Sequence, residues 1–254
     1  YERRMHSHPI PTIGGLAIYA AFVLVKAIEF VRHNLGYHQF NVKLVGNSAG
    51  FAMETLSISH WATEDIAMAR TIPNLTILSA ADSLEAIKCV MAAHDVPGPV
   101  YVRLSGLLNC PMVYEKDFDF QVGKANRLRE GDDVALVATG MMVREALDAA
   151  ELLAAKGIEC TVVDMHTIKP LDTGCLDELF AGHKLVASVE EHTVIGGLGG
   201  AIAEYKADKE HTPRLVRIGV EDNFGKLGDL RYCWEQHGLT APQIAERIIK
   251  ELEK

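Results

Sequence analysis

Short runs of β-branched and aliphatic residues alternate with helical patterns along almost the whole chain. The strand candidates are continuous apolar runs, which are typical of strands covered on both faces. They span residues 42–45, 75–78, 100–104, 134–138, 160–164, 185–190 and 215–220. Helical patterns lie at residues 25–33, 63–71, 83–94, 142–156, 175–181, 198–208 and 241–252. This alternation predicts an α/β fold with two domains. Each domain is expected to be a mainly parallel sheet covered by helices, with right-handed crossovers between its parallel strands.

A domain boundary is predicted near residue 120. Residues 109–120 contain Pro111, alternating acids and aromatics, and no sustained period. Three strand candidates precede this stretch and four follow it. Because three strands make a thin sheet, we expect residues 1–120 to form a domain that lacks its N-terminal part. Residues 121–254 are expected to form a complete domain.

Composition and charge exclude several classes of protein. The net charge of −9 and the pI of about 5.7 argue against a nucleic-acid binder. The longest apolar run, residues 14–25, is shorter than the about 20 residues of a membrane helix. The five cysteines form no C-x-x-C pair, so they suit a cytoplasmic protein with reduced thiols.

Residues 196–200 read Gly-Gly-Leu-Gly-Gly between a strand candidate and a helix candidate. A glycine loop in this position is the setting of a phosphate-binding turn. The spacing differs from G-x-G-x-x-G, and no ribose-binding acid follows at the usual distance. Close packing of the helix start against the sheet is therefore the favoured interpretation.

Individual residues suggest a site and two helix starts. His60 follows a strand and precedes a helix, where open α/β sheets bind ligands. Arg103 ends a strand, where it could hold an anion or form a structural ion pair, and the pattern does not separate the two. Thr63 is a candidate cap for the helix after His60, and Thr240 with Gln243 forms a predicted capping box.

Several stretches, in order, resemble the transketolase family. Residues 26–32 read KAIEFVR where the family has AFEQIRN, and residues 60–67 read HWATEDIA where it has H-Q-x-x-E-D-I-A. Further matches are KPLD at 169–172, VEEH at 189–192 and HGLT at 237–240. The resemblance covers nearly the whole chain, and its order and spacing make it specific to thiamine-diphosphate enzymes of this group.

The resemblance implies a pyrimidine-binding domain at residues 1–120 and a transketolase C-terminal domain at residues 121–254. This is the make-up of the C-terminal subunit of a transketolase split into two chains. A separate N-terminal subunit would hold the diphosphate and Mg²⁺ of thiamine diphosphate, and the assembly would be a dimer of heterodimers. The implied reaction moves a two-carbon ketol unit from a ketose to an aldose.

The same resemblance assigns site residues. Leu16, Tyr19 and Phe22 stand at aromatic positions around the aminopyrimidine, with Tyr19 stacked on it and Leu16 in place of an aromatic. From pattern alone, Tyr19 and Phe22 would be core residues on one helical face, or an aromatic platform. His60 stands for the histidine that contacts the substrate, where it would bind a donor hydroxyl and stabilise developing charge.

Three departures from the family bear on the substrate. Ser48 replaces a phosphate-contacting histidine, Gly106 a phosphate-clamping arginine, and Leu56 an aspartate that reads hydroxyl stereochemistry. Loss of an arginine clamp removes a bidentate, charge-assisted contact. We therefore expect a terminal group other than an ordinary phosphate, such as a sulfonate, or one held by other groups such as Arg103 or the partner subunit.

One family residue, the glutamate that protonates the aminopyrimidine, has no counterpart, since Glu2 lies too close to the aromatic positions. The chain also begins with Tyr1, so we expect the subunit to be longer at its N-terminus. The alternatives are a deoxyxylulose-phosphate synthase, a 2-oxoacid dehydrogenase β subunit, and a structural partner without catalysis. Residues 60–67 argue against the dehydrogenase.

Overall fold

The computed structural model describes residues 28–107 and 110–254. All the predicted strands are present, and their bounds differ by up to three residues from the expected ones. The strands are β1 Lys43–Gly46, β2 Thr76–Ser79, β3 Val100–Arg103, β4 Asn126–Arg129, β5 Val134–Ala138, β6 Cys160–Asp164, β7 Thr167–Lys169, β8 Leu185–Thr193 and β9 Arg214–Val220. The sequence patterns did not predict β4 and β7.

The helices also follow the predicted order. They are α1 Asp65–Arg70, α2 Ser83–Asp95, α3 Met142–Ala154, α4 Thr173–Gly182, α5 Leu198–Ala207, α6 Leu230–His237 and α7 Ala241–Leu252. Helix α6 was not predicted. A π-helical turn spans Val31–Tyr37, and two 3₁₀ turns span Glu54–Leu56 and Ile58–His60.

The helix starts differ in detail from the expected caps. Glu64, not Thr63, is the N-cap of α1, and Thr63 is buried, so the predicted cap at Thr63 was wrong. Thr240 is the N-cap of α7 as predicted, but its hydroxyl donates to Oε1 of Gln243 at 2.8 Å instead of bonding the backbone. The backbone N–H of Ala241 donates to the Glu145 carboxylate, which takes over the capping.

Two sheets form the framework and confirm the predicted α/β class. The first has the order β1-β3-β2-β7 and the second β4-β6-β5-β8-β9. The central pairings are parallel, whereas β7 and β4 each join a sheet edge in the antiparallel direction. Strand β7 comes from the second half of the chain but completes the first sheet. The two halves are therefore joined by backbone hydrogen bonds.

The cores also run across the two halves. On one face of the second sheet, α3 and α7 pack together with Phe51 and Trp61 from the first half. On the other face, Ile66 and Ile77 from the first half pack with α4 and α5. No helix within residues 28–107 and 110–254 has the length and apolar character to span a membrane.

Candidate functional site

The segment that carries His60 follows β1 at its carboxyl end. We call residues 50–62 the His60 loop. Its two ends are paired, since the N–H of Gly50 donates to the carbonyl of Ala62 at 3.0 Å and the N–H of Ala62 donates back at 2.9 Å. The two 3₁₀ turns lie inside this closed loop, and the second ends at His60. The two hydrogen bonds between Gly50 and Ala62 therefore fix the ends of the loop that carries the histidine.

The imidazole of His60 is exposed, and one of its nitrogens is already engaged. Nδ1 lies 3.1 Å from the carbonyl oxygen of Leu56 and 3.0 Å from Oγ of Ser59. Because a carbonyl can only accept, this contact assigns the proton to Nδ1. With the proton on Nδ1, Nε2 is the nitrogen that can accept a hydrogen bond or a proton from a hydroxyl when the ring is in its neutral form.

The segment that contains Ser48, after β1, lies against the segment that contains Gly106, after β3. The N–H of Ala49 donates to the carbonyl of Leu104 at 3.0 Å, which holds the chain after β1 against the chain after β3. A Cβ on Gly106 would lie 2.2 Å from Oδ1 of Asn47, and the φ of +69° disfavours any side chain there. An arginine at position 106 would therefore strain the backbone and require Asn47 to move.

Arg103 is 3% exposed and bound on several sides. Its Nε donates to Oδ2 of Asp65 at 2.9 Å, and its Nη2 donates to the carbonyls of Ala62 at 2.8 Å and Glu191 at 3.2 Å. Of the two roles that the sequence left open, this geometry favours the structural ion pair. Through Ala62, the pair also anchors the end of the His60 loop.

The charge of Asp65 is stabilised by the groups around it. Tyr101 donates its hydroxyl to Oδ2 of Asp65 at 2.6 Å, beside the guanidinium of Arg103. Burial alone would raise the pKa of Asp65, but Arg103, Tyr101 and His192 outweigh it, so the pKa is lowered. Asp65 is therefore a carboxylate that balances the buried cation.

At the glycine-rich run, residues 196–200, the backbone N–H groups that could bind an anion are already bonded to a side chain of this chain. The N–H groups of Leu198 and Gly199, which open α5, donate to the two oxygens of Glu190 at 2.7 and 2.8 Å. A Cβ on Gly197 would lie 2.0 Å from Oε2 of Glu190. Glu190 thus occupies the place of a bound anion, which supports the packing interpretation.

Sequence reasoning missed Glu191, whose side chain reaches the His60 loop. Its Oε1 accepts hydrogen bonds from the N–H of Phe51 at 2.9 Å and from Nε1 of Trp234 at 2.7 Å. Burial raises its pKa to about 7, against the effect of Trp234, Phe51 and Arg103. The only signal in the sequence was the run of ionisable residues at 190–192 in a largely apolar strand that is buried at every position but its last.

A second buried acidic feature joins α2 to β6. Oε2 of Glu85 accepts from the N–H of Ala81 at 2.7 Å, and Oδ2 of Asp164 accepts from the hydroxyl of Tyr114 at 2.7 Å. Oε1 of Glu85 and Oδ1 of Asp164 are buried and have no hydrogen-bond partner among the described residues. The two carboxyls interact, and the proximity of Asp164 favours the protonated form of Glu85. Burial raises the pKa of Asp164 to about 7 and that of Glu85 well above its usual range.

The predicted cofactor contacts Leu16, Tyr19 and Phe22 lie outside the described residues. In the part of the chain that the structure describes, no group of three or more metal-ligating side chains is assembled.

Comparison with known proteins identifies the family. The model of the transketolase pyrimidine-binding domain matches residues 11–110, and that of the transketolase C-terminal domain matches residues 123–244. A 6-deoxy-6-sulfo-D-fructose transketolase subunit from Clostridium sp. (strain MSTE9) is 40% identical over 89% of this chain and 70% of its own length. One of the subunits of an apulose-4-phosphate transketolase from Actinobacillus succinogenes is 36% identical over 89% of this chain and 73% of its own length.

A solved structure gives the same result. A split-gene transketolase, described as an inactive β4 tetramer, aligns with a TM-score of 0.78 and 39% identity over 91% of this chain and 73% of that one. The resemblance seen in residues 60–67 and the other matched stretches is thereby confirmed. The chain belongs to the transketolase family, and it combines the family's pyrimidine-binding and C-terminal domains.

Proposed function

We propose that this chain, together with a partner subunit, transfers a two-carbon ketol unit from a ketose to an aldose. The observation that carries the proposal is His60, an exposed histidine of fixed tautomer on a closed loop at the carboxyl end of a parallel strand. Relatives named as transketolase subunits, 40% and 36% identical, support the same reaction class. The site lies beyond the carboxyl ends of parallel strands, where open α/β sheets bind ligands.

His60 acts on the substrate through Nε2. With Nδ1 donating to the carbonyl of Leu56, Nε2 accepts a hydrogen bond from a donor hydroxyl and takes its proton as the carbon–carbon bond is cleaved. Positioned acid–base groups of this kind contribute roughly 10²–10⁴-fold to rate. The closed loop keeps the ring in place for this step.

Thiamine diphosphate is the proposed cofactor, and it supplies the nucleophilic carbon for breaking and remaking the carbon–carbon bond. The site on this chain fits a group held against it from another subunit, because His60 is exposed on a loop at the carboxyl end of β1. We assign the aminopyrimidine contacts to Leu16, Tyr19 and Phe22, and the diphosphate and Mg²⁺ to the partner. A dimer of heterodimers in the cytoplasm is the proposed assembly.

The substrate's terminal group is proposed to be a sulfonate or another group that needs no arginine clamp. The close approach of Asn47 to Gly106 and the φ of +69° at Gly106 support this, since both disfavour an arginine there. Ser48 is the proposed contact in its stead. A relative named for a sulfonated sugar is among the similar subunits, as is one named for a phosphorylated sugar.

The test uses the native complex of this chain with its partner. His60→Ala is expected to lower the rate of ketol transfer at least about 100-fold while leaving the melting temperature unchanged, because the ring is exposed. His211→Ala, at an exposed histidine before β9, is the matched control and should retain full activity. Activity of His60→Ala within a few-fold of the wild type would overturn the proposal, as would CO₂ release from pyruvate without a ketose.

Substrate preference is tested with the same complex. We expect faster turnover of 6-deoxy-6-sulfo-D-fructose than of fructose 6-phosphate at matched concentrations. Equal or faster turnover of the phosphorylated ketose would contradict the assignment of the terminal group and leave the reaction class standing.

A further inference from the structure

We propose that Glu191, in the second half of the chain, is a positioning residue that holds the His60 loop for the reaction. The inference rests on the proposed role of His60. It goes further by giving the C-terminal domain a part in the chemistry, through a residue that does not touch the substrate. Glu191 is 2% exposed, so any effect on the reaction must pass through its neighbours.

The first contact is a pair of hydrogen bonds to one carboxylate oxygen. Oε1 of Glu191 accepts from the N–H of Phe51, in the loop, and from Nε1 of Trp234, on α6. Both donors are buried, so each would be left without a partner if this acceptor were lost. A single side chain from β8 therefore ties the start of the loop to a helix of the second half.

The second contact is a close approach at Gly50. A Cβ there would lie 2.2 Å from Cδ of Glu191, and the φ of Gly50 is +60°. Only glycine combines this conformation with this proximity. The loop thus begins directly against the carboxylate.

The other end of the loop is held to the same residue. Nη2 of Arg103 donates both to the carbonyl of Ala62 and to the carbonyl of Glu191. The start of the loop is bonded to the side chain of Glu191, and its end is linked to the backbone of Glu191 through Arg103. Both ends of the loop are therefore held, directly or through Arg103, by the same residue of β8.

Aromatic packing connects Phe51, which is bonded to Glu191, with the residue next to His60. The ring of Phe51 meets Trp61 edge-on at 4.9 Å and stacks on His237 at 5.3 Å. Nε1 of Trp61 donates to the carbonyl of Glu54 at 3.0 Å, and Trp61 follows His60 directly. A shift of Phe51 would move Trp61 and hence the imidazole, because cores of this density transmit displacement.

Amide hydrogen exchange of the intact subunit tests this without any assay of activity. Glu191→Ala is expected to speed exchange in residues 50–62 by about tenfold or more, because it removes the acceptor of two buried hydrogen bonds. Glu191→Gln retains an acceptor oxygen and should stay close to the wild type. Trp234→Phe removes one donor and keeps an aromatic ring, so we expect a smaller, loop-specific increase.

A matched control lies on α3. The carboxylate of Glu145 accepts from the N–H of Ala241 and from Nη1 of Arg231 at 3.1 Å, within the second half of the chain. Glu145→Ala removes a similarly buried carboxylate and should leave exchange in the His60 loop unchanged. In the native complex, kcat for ketol transfer should fall with loop protection in Glu191→Ala and be rescued in Glu191→Gln.

Several results would overturn the inference. Wild-type exchange of the loop in Glu191→Ala would do so, as would equal loop exposure in Glu191→Gln and Glu191→Ala. If Glu191→Ala unfolds the whole chain, Trp234→Phe decides, and unchanged loop exchange in that variant refutes the positioning role. Full activity of His60→Ala would instead remove the proposed function and leave the loop measurement to stand by itself.

Discussion

Replacing Asp65 with asparagine is expected to destabilise the folded chain, because it leaves Arg103 without its buried counter-ion. The side chain of Arg103 is 3% exposed and that of Asp65 is 17% exposed. Asparagine keeps the size of aspartate and one acceptor oxygen, but it carries no charge. The guanidinium would then stay buried without a counter-ion. Its remaining acceptors, the carbonyls of Ala62 and Glu191 and the amide oxygen of the asparagine, are all uncharged.

The magnitude follows from this burial. Removing one partner of a buried ion pair destabilises by about 3–5 kcal/mol. Because asparagine still accepts one hydrogen bond and the site is slightly open to solvent, we take the lower end, about 3 kcal/mol. In a chain of this size, about 1 kcal/mol shifts the melting temperature by about 2–4 °C, so Asp65→Asn should lower it by about 6–12 °C.

The effect has a defined pH dependence. The pKa of Asp65 is lowered in the folded chain, so its carboxylate contributes stability above its unfolded pKa of about 3.9. That contribution is lost as the pH falls through the folded pKa. The difference between wild type and Asp65→Asn should therefore be full at pH 7 and shrink below about pH 4.

Urea unfolding at pH 7 and thermal melts provide the assay. The double variant Asp65→Ala with Arg103→Met removes both charges and should be less destabilised than the sum of its single variants. Glu178→Gln is the control, because Glu178 pairs with Arg127 on the surface, where such pairs contribute about 0–1 kcal/mol. Additive effects in the double variant, or an Asp65→Asn loss no larger than the control, would refute the buried-pair argument.

Two further predictions concern stability. Burial raises the pKa of Asp164, Glu190 and Glu191 to about 7 and also raises that of Glu85, whereas such groups ionise near pH 4 in an unfolded chain, so the folded state binds more of these protons between about pH 4 and pH 7. Relative to Glu85→Gln, whose side chain cannot ionise, the wild-type stability measured by urea unfolding should therefore fall as the pH rises above about pH 4; a constant or rising difference would contradict this. Gly197→Ala should destabilise by about 1–3 kcal/mol through overlap with Glu190, measured by thermal melts. Gly182→Ala is its control, since a Cβ there meets no described atom, and equal melting of the two variants would refute the overlap.

The strands at the centres of the sheets could be predicted because a strand that is buried on both faces requires a continuous run of aliphatic residues in the sequence. Strand β5 is an example, as each of its residues is buried. Strands β4 and β7 have the sequences NRLR and TIK, which carry no such signal. Their assignment depends on antiparallel pairing at sheet edges, which is a tertiary contact. Helix α6 was missed because its buried residues, Cys233 and Trp234, are adjacent and form no helical period.

The site divides in the same way. His60 could be found because its motif is local and lies after a strand. The role of Arg103 could not, because its partners Asp65 and Glu191 lie 38 and 88 residues away in the chain. Whether a cation at a strand end meets a ligand or a carboxylate depends on which distant groups the fold brings to it. Glu191 was hidden for the same reason, within a motif that the family resemblance matched without giving it a role.

The contacts between the halves argue that the predicted domain boundary is not a folding boundary. Strand β7 pairs with β2, where the N–H of Ser79 donates to the carbonyl of His166 at 2.8 Å. Glu191 accepts a hydrogen bond from Phe51 across the halves, and Asp164 of the second half raises the pKa of Glu85 of the first. A first half produced alone would expose the edge of β2 and leave Glu85 without Asp164. The C-terminal domain therefore completes the sheet that carries the candidate site, and the loop that bears His60 acquires its position only when both halves fold together.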